Sequence, residues 1–141
     1  MKRTLVLAIL LLTTAAIQAQ PVNRTFFGGE AIHGFDVVSY FNGGPVKGKP
    51  EFFFQYRGAR WLFASAEHLK LFRDAPESYA PRYGGYCAFA MARGESVDID
   101  PFSYAIVDHK LYLNYDREIQ KQWEANRTAF IQKADKFYAK H

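Results

Sequence analysis

The sequence predicts an α+β fold: a small antiparallel sheet built from two β-hairpins plus an extended strand, covered by about three helices, the last of them long and amphipathic. Three observations carry this prediction. The stretches 51–64 and 102–114 each read as strand, tight turn, strand. Ser65 and Asp116 stand where helix N-caps belong, each ahead of apolar residues at helical spacing. The segment after Gly34 is rich in β-branched and aromatic residues.

In chain order, Met1-Lys2-Arg3 is a basic start and Leu5 to Leu12 an unbroken apolar run. Ala19 closes an imperfect cleavage site, with Ile17 where a small residue is preferred. This is the layout of a secretory signal peptide over residues 1–19, and the run is shorter than a membrane span requires. Residues 20–25 are polar, contain Pro21 and read as a flexible lead-in. The extended strand is expected over Phe35 to Phe41, and Asn42-Gly43-Gly44-Pro45 is a turn. Glu51–Tyr56 and Ala59–Ala64 form the first hairpin about Arg57-Gly58. A helix is predicted from Ala66 to about Asp74, with Glu67 in its first turn and Ala75-Pro76 ending it.

Tyr83-Gly84-Gly85-Tyr86-Cys87 is a glycine corner that lets the backbone take positive φ or approach another group closely. A short buried helix follows and closes at Gly94. Glu95 to Asp100 is an acidic loop. Phe102–Val107 and Leu111–Asn114 form the second hairpin about Asp108-His109-Lys110. Ile119, Trp123, Phe130, Ala134 and Phe137 then lie mostly on one face of the last helix.

The 141 residues suit a single domain, and the 17% aromatic share allows a core without disulfides. The net charge of +4 falls to about +2 without Lys2 and Arg3, and the basic residues are scattered. That balance does not point to nucleic acid. One cysteine excludes an internal disulfide. In an oxidising compartment a lone thiol is buried, metal-bound, reactive, or paired with another chain.

Cys87 therefore has two readings. Free N–H groups at a helix start favour thiolate, whereas a tight corner simply accommodates a small buried residue. With His68 it makes a donor pair suited to Cu(I) or Zn(II), too few for a closed zinc site. The same pair would also serve as a Cys–His nucleophile, with Asp36 as the available orienting group. His33 is a second candidate imidazole near the same edge. His109 sits in a hairpin turn, and His141 ends the chain. Glu95, Asp98 and Asp100 are either a hard-cation loop or a solvated one. Phe52, Phe54, Tyr56, Trp61, Phe63, Tyr83, Tyr86 and Tyr104 either line a pocket for a flat ligand such as haem or form the core.

Four stretches carry a family resemblance: Gly34 to Phe41, Trp61 to Ser65, Tyr79 to Ala88, and Ile106 to Asn114. Together they resemble the exported, single-domain branch of the YHS-domain proteins, over residues 26–141. Metal-linked members of the wider group resemble small modules attached to heavy-metal transport ATPases, with one cysteine after an Asp-Pro-Val triplet and two in a Phe-Cys-Ser-x-x-Cys turn. Carried over, those three positions are Ser39, Ala64 and His68 here. The resemblance thus implies a thiolate-rich site reduced to one imidazole, which Cys87 would supplement only if the fold brought it near.

The expectation is an exported module, periplasmic or secreted, that handles a transition metal ion, copper favoured. Cys87 and His68 are the expected ligands, with Asp36 and His33 as supporting groups. Another periplasmic protein is a possible partner, and no membrane span remains after leader removal. A thiol-dependent enzyme or redox protein using Cys87, and a structural partner-binding domain, are the alternatives.

Overall fold

The computed structural model describes residues 20–140. The leader expected over residues 1–19 and the final residue lie outside that range. Among the described residues, two hairpins and five α-helices give the α+β class. Strand β1 (Lys49–Tyr56) pairs antiparallel with β2 (Ala59–Phe63), with a register shift between Lys49 and Phe53. Strand β3 (Tyr104–Val107) pairs with β4 (Lys110–Leu113) in unbroken register. The hairpins remain two separate two-stranded sheets, so the single sheet expected from the sequence does not form.

The reason lies in the segment meant to join them. Phe35 makes only an isolated bridge to Lys47, and Ser39–Asn42 is a 3-10 turn. The Asp36 side chain accepts the N–H groups of Val38 and Ser39, which a strand would offer to its neighbour. An aspartate bonding the backbone two and three residues on competes directly with a ladder.

Helix α1 (Ala66–Asp74) has the predicted bounds, and the Ser65 hydroxyl accepts the His68 N–H. Its Phe72 is fully buried and stacks on Trp61 at 5.1 Å, with Phe54, Tyr56 and Phe63 around it. These rings, named as possible haem-pocket residues, pack on one another and on α1. The proline-bracketed stretch that follows contains a short helix, α2 (Pro76–Tyr79), and α3 (Ala88–Met91) follows Cys87. The long C-terminal helix is broken in two, α4 (Arg117–Ala125) and α5 (Arg127–Tyr138). Asn126 leaves helical geometry between them, at φ −149° and ψ 44°. Asp116 caps α4 through the Ile119 N–H at 2.8 Å. Ile119, in the first turn of α4, packs on the first apolar cluster, whereas Trp123 of α4 and Phe130 and Ala134 of α5 pack on the second.

Strand β4 lies between those two clusters. Leu111 and Leu113 face the first, and Tyr112 faces the second, as the two-residue period of a strand requires. Cys87 and Ala88 straddle the same seam.

The lead-in is not loose. Val22 and Asn23 are buried, the Asn23 N–H donates to Gly84 O at 2.9 Å, and the Tyr138 hydroxyl donates to Pro21 O at 3.1 Å. The glycine corner makes this contact possible. Gly84 has φ +62°, and a Cβ there would lie 2.1 Å from Pro21 O. Gly84→Ala is expected to cost about 2 kcal/mol or more, since both the backbone conformation and the contact are lost. Urea unfolding followed by tryptophan fluorescence measures this.

Candidate functional site

Asp36 is the most heavily bonded side chain near the predicted site. It is fully buried, and each carboxylate oxygen has two nitrogen neighbours at hydrogen-bond distance. Oδ1 accepts from Val38 N at 2.9 Å and Ser39 N at 3.2 Å. Oδ2 accepts from Ala64 N at 2.9 Å and lies 2.6 Å from His68 Nδ1. A carboxylate occupied in this way has no proton to donate, so Nδ1 carries the hydrogen and Nε2 of the neutral ring keeps a lone pair. The imidazole is thereby fixed in tautomer and orientation, as an imidazole backed by a carboxylate is.

Three pieces of backbone place the pair. The 3-10 turn after Asp36 aims the carboxylate inward, the end of β2 supplies Ala64 N, and the first turn of α1 presents His68. His68 is partly exposed, and it lines a shallow recess of about 490 Å³ with Ser39, Asn42, Pro45, Val46 and Phe102. Ser39 is also tied in: its hydroxyl donates to Asp36 O at 2.6 Å and accepts Val46 N at 3.1 Å.

Cys87 lies elsewhere. It lines a separate recess of about 160 Å³ with Phe89, Arg93, Val97 and Tyr115, and that recess shares no residue with the His68 recess. The residue is 1% exposed. Its Sγ donates to Asn114 Oδ1 at 3.7 Å, and the same oxygen accepts Phe89 N. Burial raises the thiol pKa, and the nearby N–H groups of Ala90, Tyr115 and Phe89 lower it by less. Both effects foreseen for the glycine corner are present, and burial prevails, leaving a protonated thiol. The expected Cys87–His68 pair thus lines two recesses and not one.

His33 is also apart from His68 in its bonding. Its Nε2 lies 2.7 Å from Asp98 Oδ1, which also accepts from Asn23 Nδ2 and Ile99 N. Partial burial would raise the Asp98 pKa, but the bonds from Asn23, His33 and Ile99 prevail and lower it. Its bonds thus favour the fold above the ordinary carboxylate range, and that contribution is lost as pH falls through the lowered value. The acidic loop disperses in the same way: Asp100 accepts Phe102 N and the Ser103 hydroxyl, and Glu95 pairs with Arg93. Among the described residues, no group of three or more His, Cys, Asp or Glu side chains is placed to hold a metal ion.

Asn114 was not foreseen as a site residue. It is fully buried, and its Nδ2 has no partner among the described residues. The sequence signal was a polar residue ending an otherwise apolar strand.

The family model for the YHS domain matches residues 37–83, about a third of the chain. No curated protein and no solved structure matches. The matched stretch contains Ser39, Ala64 and His68, begins one residue after Asp36, and ends before Cys87. The three positions that the resemblance equates with cysteines all bond to Asp36.

Two outcomes follow from this geometry. Asp36→Asn turns an NH₂ toward backbone N–H groups in either amide orientation, and is expected to cost about 3 kcal/mol in urea unfolding. Cys87 is expected to alkylate with iodoacetamide on the order of a hundredfold more slowly than a free thiol at neutral pH, and its rate should still be rising above the ordinary thiol range.

Proposed function

We propose that this YHS domain-containing protein binds and passes on a transition metal ion through His68 Nε2, with Asp36 holding the ring. The observation that carries the reading is the Asp36–His68 contact at the edge of an open recess. The YHS-domain match supports metal binding at the level of the family.

The donor chemistry fits a ring nitrogen and not a thiol. Imidazole suits copper, zinc and nickel, and Cu(II) heads the affinity order of the divalent first-row ions for such donors. Copper thus stays the favoured metal, for a different reason from the one that a thiolate would have given. One imidazole does not make a closed site. The remaining positions on the ion are filled by water or by donors on the molecule that brings or takes it. Such a site holds its metal loosely enough to hand it over. Asp36 has no free lone pair for the ion, so its part is to orient His68. His33, bonded to Asp98, lies outside the donor set, as does Cys87. The exported setting, periplasmic or secreted, belongs to this proposal, and it rests on the leader-like residues 1–19. A thiol-dependent enzyme draws no support from a sulfur that is buried and protonated.

Calorimetric titration with Cu(II) and with Zn(II) tests the reading. His68→Ala is expected to weaken uptake by at least about tenfold, and Cys87→Ala to leave it unchanged. Equal uptake in His68→Ala, or loss confined to Cys87→Ala, would overturn it.

A further inference from the structure

The least buried large apolar side chains of the described fold stand next to each other. Phe26 is 93% and Phe27 85% exposed, and their rings meet edge to face at 5.0 Å. They are not on a frayed end. Thr25 N donates to Glu30 O at 2.9 Å, the Thr25 hydroxyl donates to Phe27 O at 2.6 Å, and Glu30 N donates to Thr25 Oγ1 at 3.0 Å. Gly28 and Gly29 both take positive φ and complete the turn. A hydrogen-bonded turn therefore presents two aromatic rings to solvent, an arrangement that costs hydrophobic free energy and that nothing inside the fold requires.

Cations surround this tip. Arg24 reaches across to Gly58 O at 2.7 Å. Arg60 N donates to Gly29 O at 2.8 Å, which seats the turn against β2. The Arg60 guanidinium lies over the half-exposed ring of Phe53 at 4.4 Å. Arg57, shared with Glu77, lies with Arg24 on the wall of a groove of about 720 Å³ that opens beside Phe26. Neither Arg24 nor Arg60 has an ion-pair partner among the described residues. Gln20 lines the same groove, so the chain enters the described fold on this face.

We infer that this face docks on an anionic phospholipid bilayer. Phe26 and Phe27 insert at the level of the head groups, and Arg24, Arg57 and Arg60 meet lipid phosphates. Two rings on a rigid turn give an insertion depth suited to the interface, where aromatic side chains are favoured, and each nearby arginine adds attraction to a negative surface. No helix of the described residues is long and apolar enough to cross a membrane, so the contact is peripheral. This inference does not depend on the metal reading.

The test is co-sedimentation of the chain, in the form to which cells process it, with vesicles of phosphatidylglycerol and phosphatidylcholine and with vesicles of phosphatidylcholine alone. Binding to the anionic vesicles, weakened by added salt, is expected. The double variant Phe26→Ser/Phe27→Ser should lose at least about tenfold in binding while its melting temperature is kept, because both rings are already in water. Phe27→Trp supplies a second readout: its emission should shift to the blue on anionic vesicles only. No binding, or equal binding by the double variant, overturns the inference. So does a concentration-dependent dimer that the double variant abolishes with no vesicle binding, which would make the face a contact between copies of the chain. Loss of a protein partner without vesicle binding would likewise overturn it.

Discussion

The buried carboxylate of Asp36 is the constraint on which the rest of the site depends. Four N–H groups converge on it, from the turn that follows it, the end of β2, and the side chain of α1. Removing a carboxylate from water is costly, and four donors are what make that tolerable here. The same bonds join three elements that no common sheet connects, since the two hairpins stay apart. The orientation of His68 is a by-product of this junction: the last acceptor position on Asp36 is filled by a ring, and the ring's other nitrogen is left for chemistry.

The parts of the fold legible in the sequence were those set by local physics. Hairpins follow from alternation and turn residues, and the caps at Ser65 and Asp116 stand where a short side chain precedes apolar residues at helical spacing. The strand expected over Phe35 to Phe41 was illegible for an equally local reason. Its apolar pattern favours a strand, but Asp36 bonds its own backbone two and three residues ahead, and that bond prevails. The break at Asn126 does not show in the apolar spacing, which runs on from Ile119 to Phe137.

The site was half legible. His68 and Asp36 were named from their residue types and from the resemblance, with no means of seeing that they touch across 32 positions of chain. Cys87 is ambiguous in the sequence. Its neighbours in sequence offer both a helix start and a tight corner, and only its packing in the first apolar cluster decides in favour of burial. Its partner Asn114 is 27 positions away. The thiol contributes as a small packed side chain where the two clusters meet. Where the resemblance implies sulfur ligands, this chain has a serine, an alanine and a histidine; Ser39 and Ala64 reach the Asp36 carboxylate through backbone N–H groups and His68 through its ring.

The central claim is that Asp36 fixes the His68 tautomer and leaves Nε2 as the free donor. Long-range ¹H–¹⁵N correlation of the histidine rings at neutral pH reads this directly. The account requires a His68 ring protonated at Nδ1, with that proton slow to exchange, and an Nε2 resonance that moves on addition of Zn(II). A His68 ring protonated at Nε2, or averaging rapidly between the two forms, would contradict it.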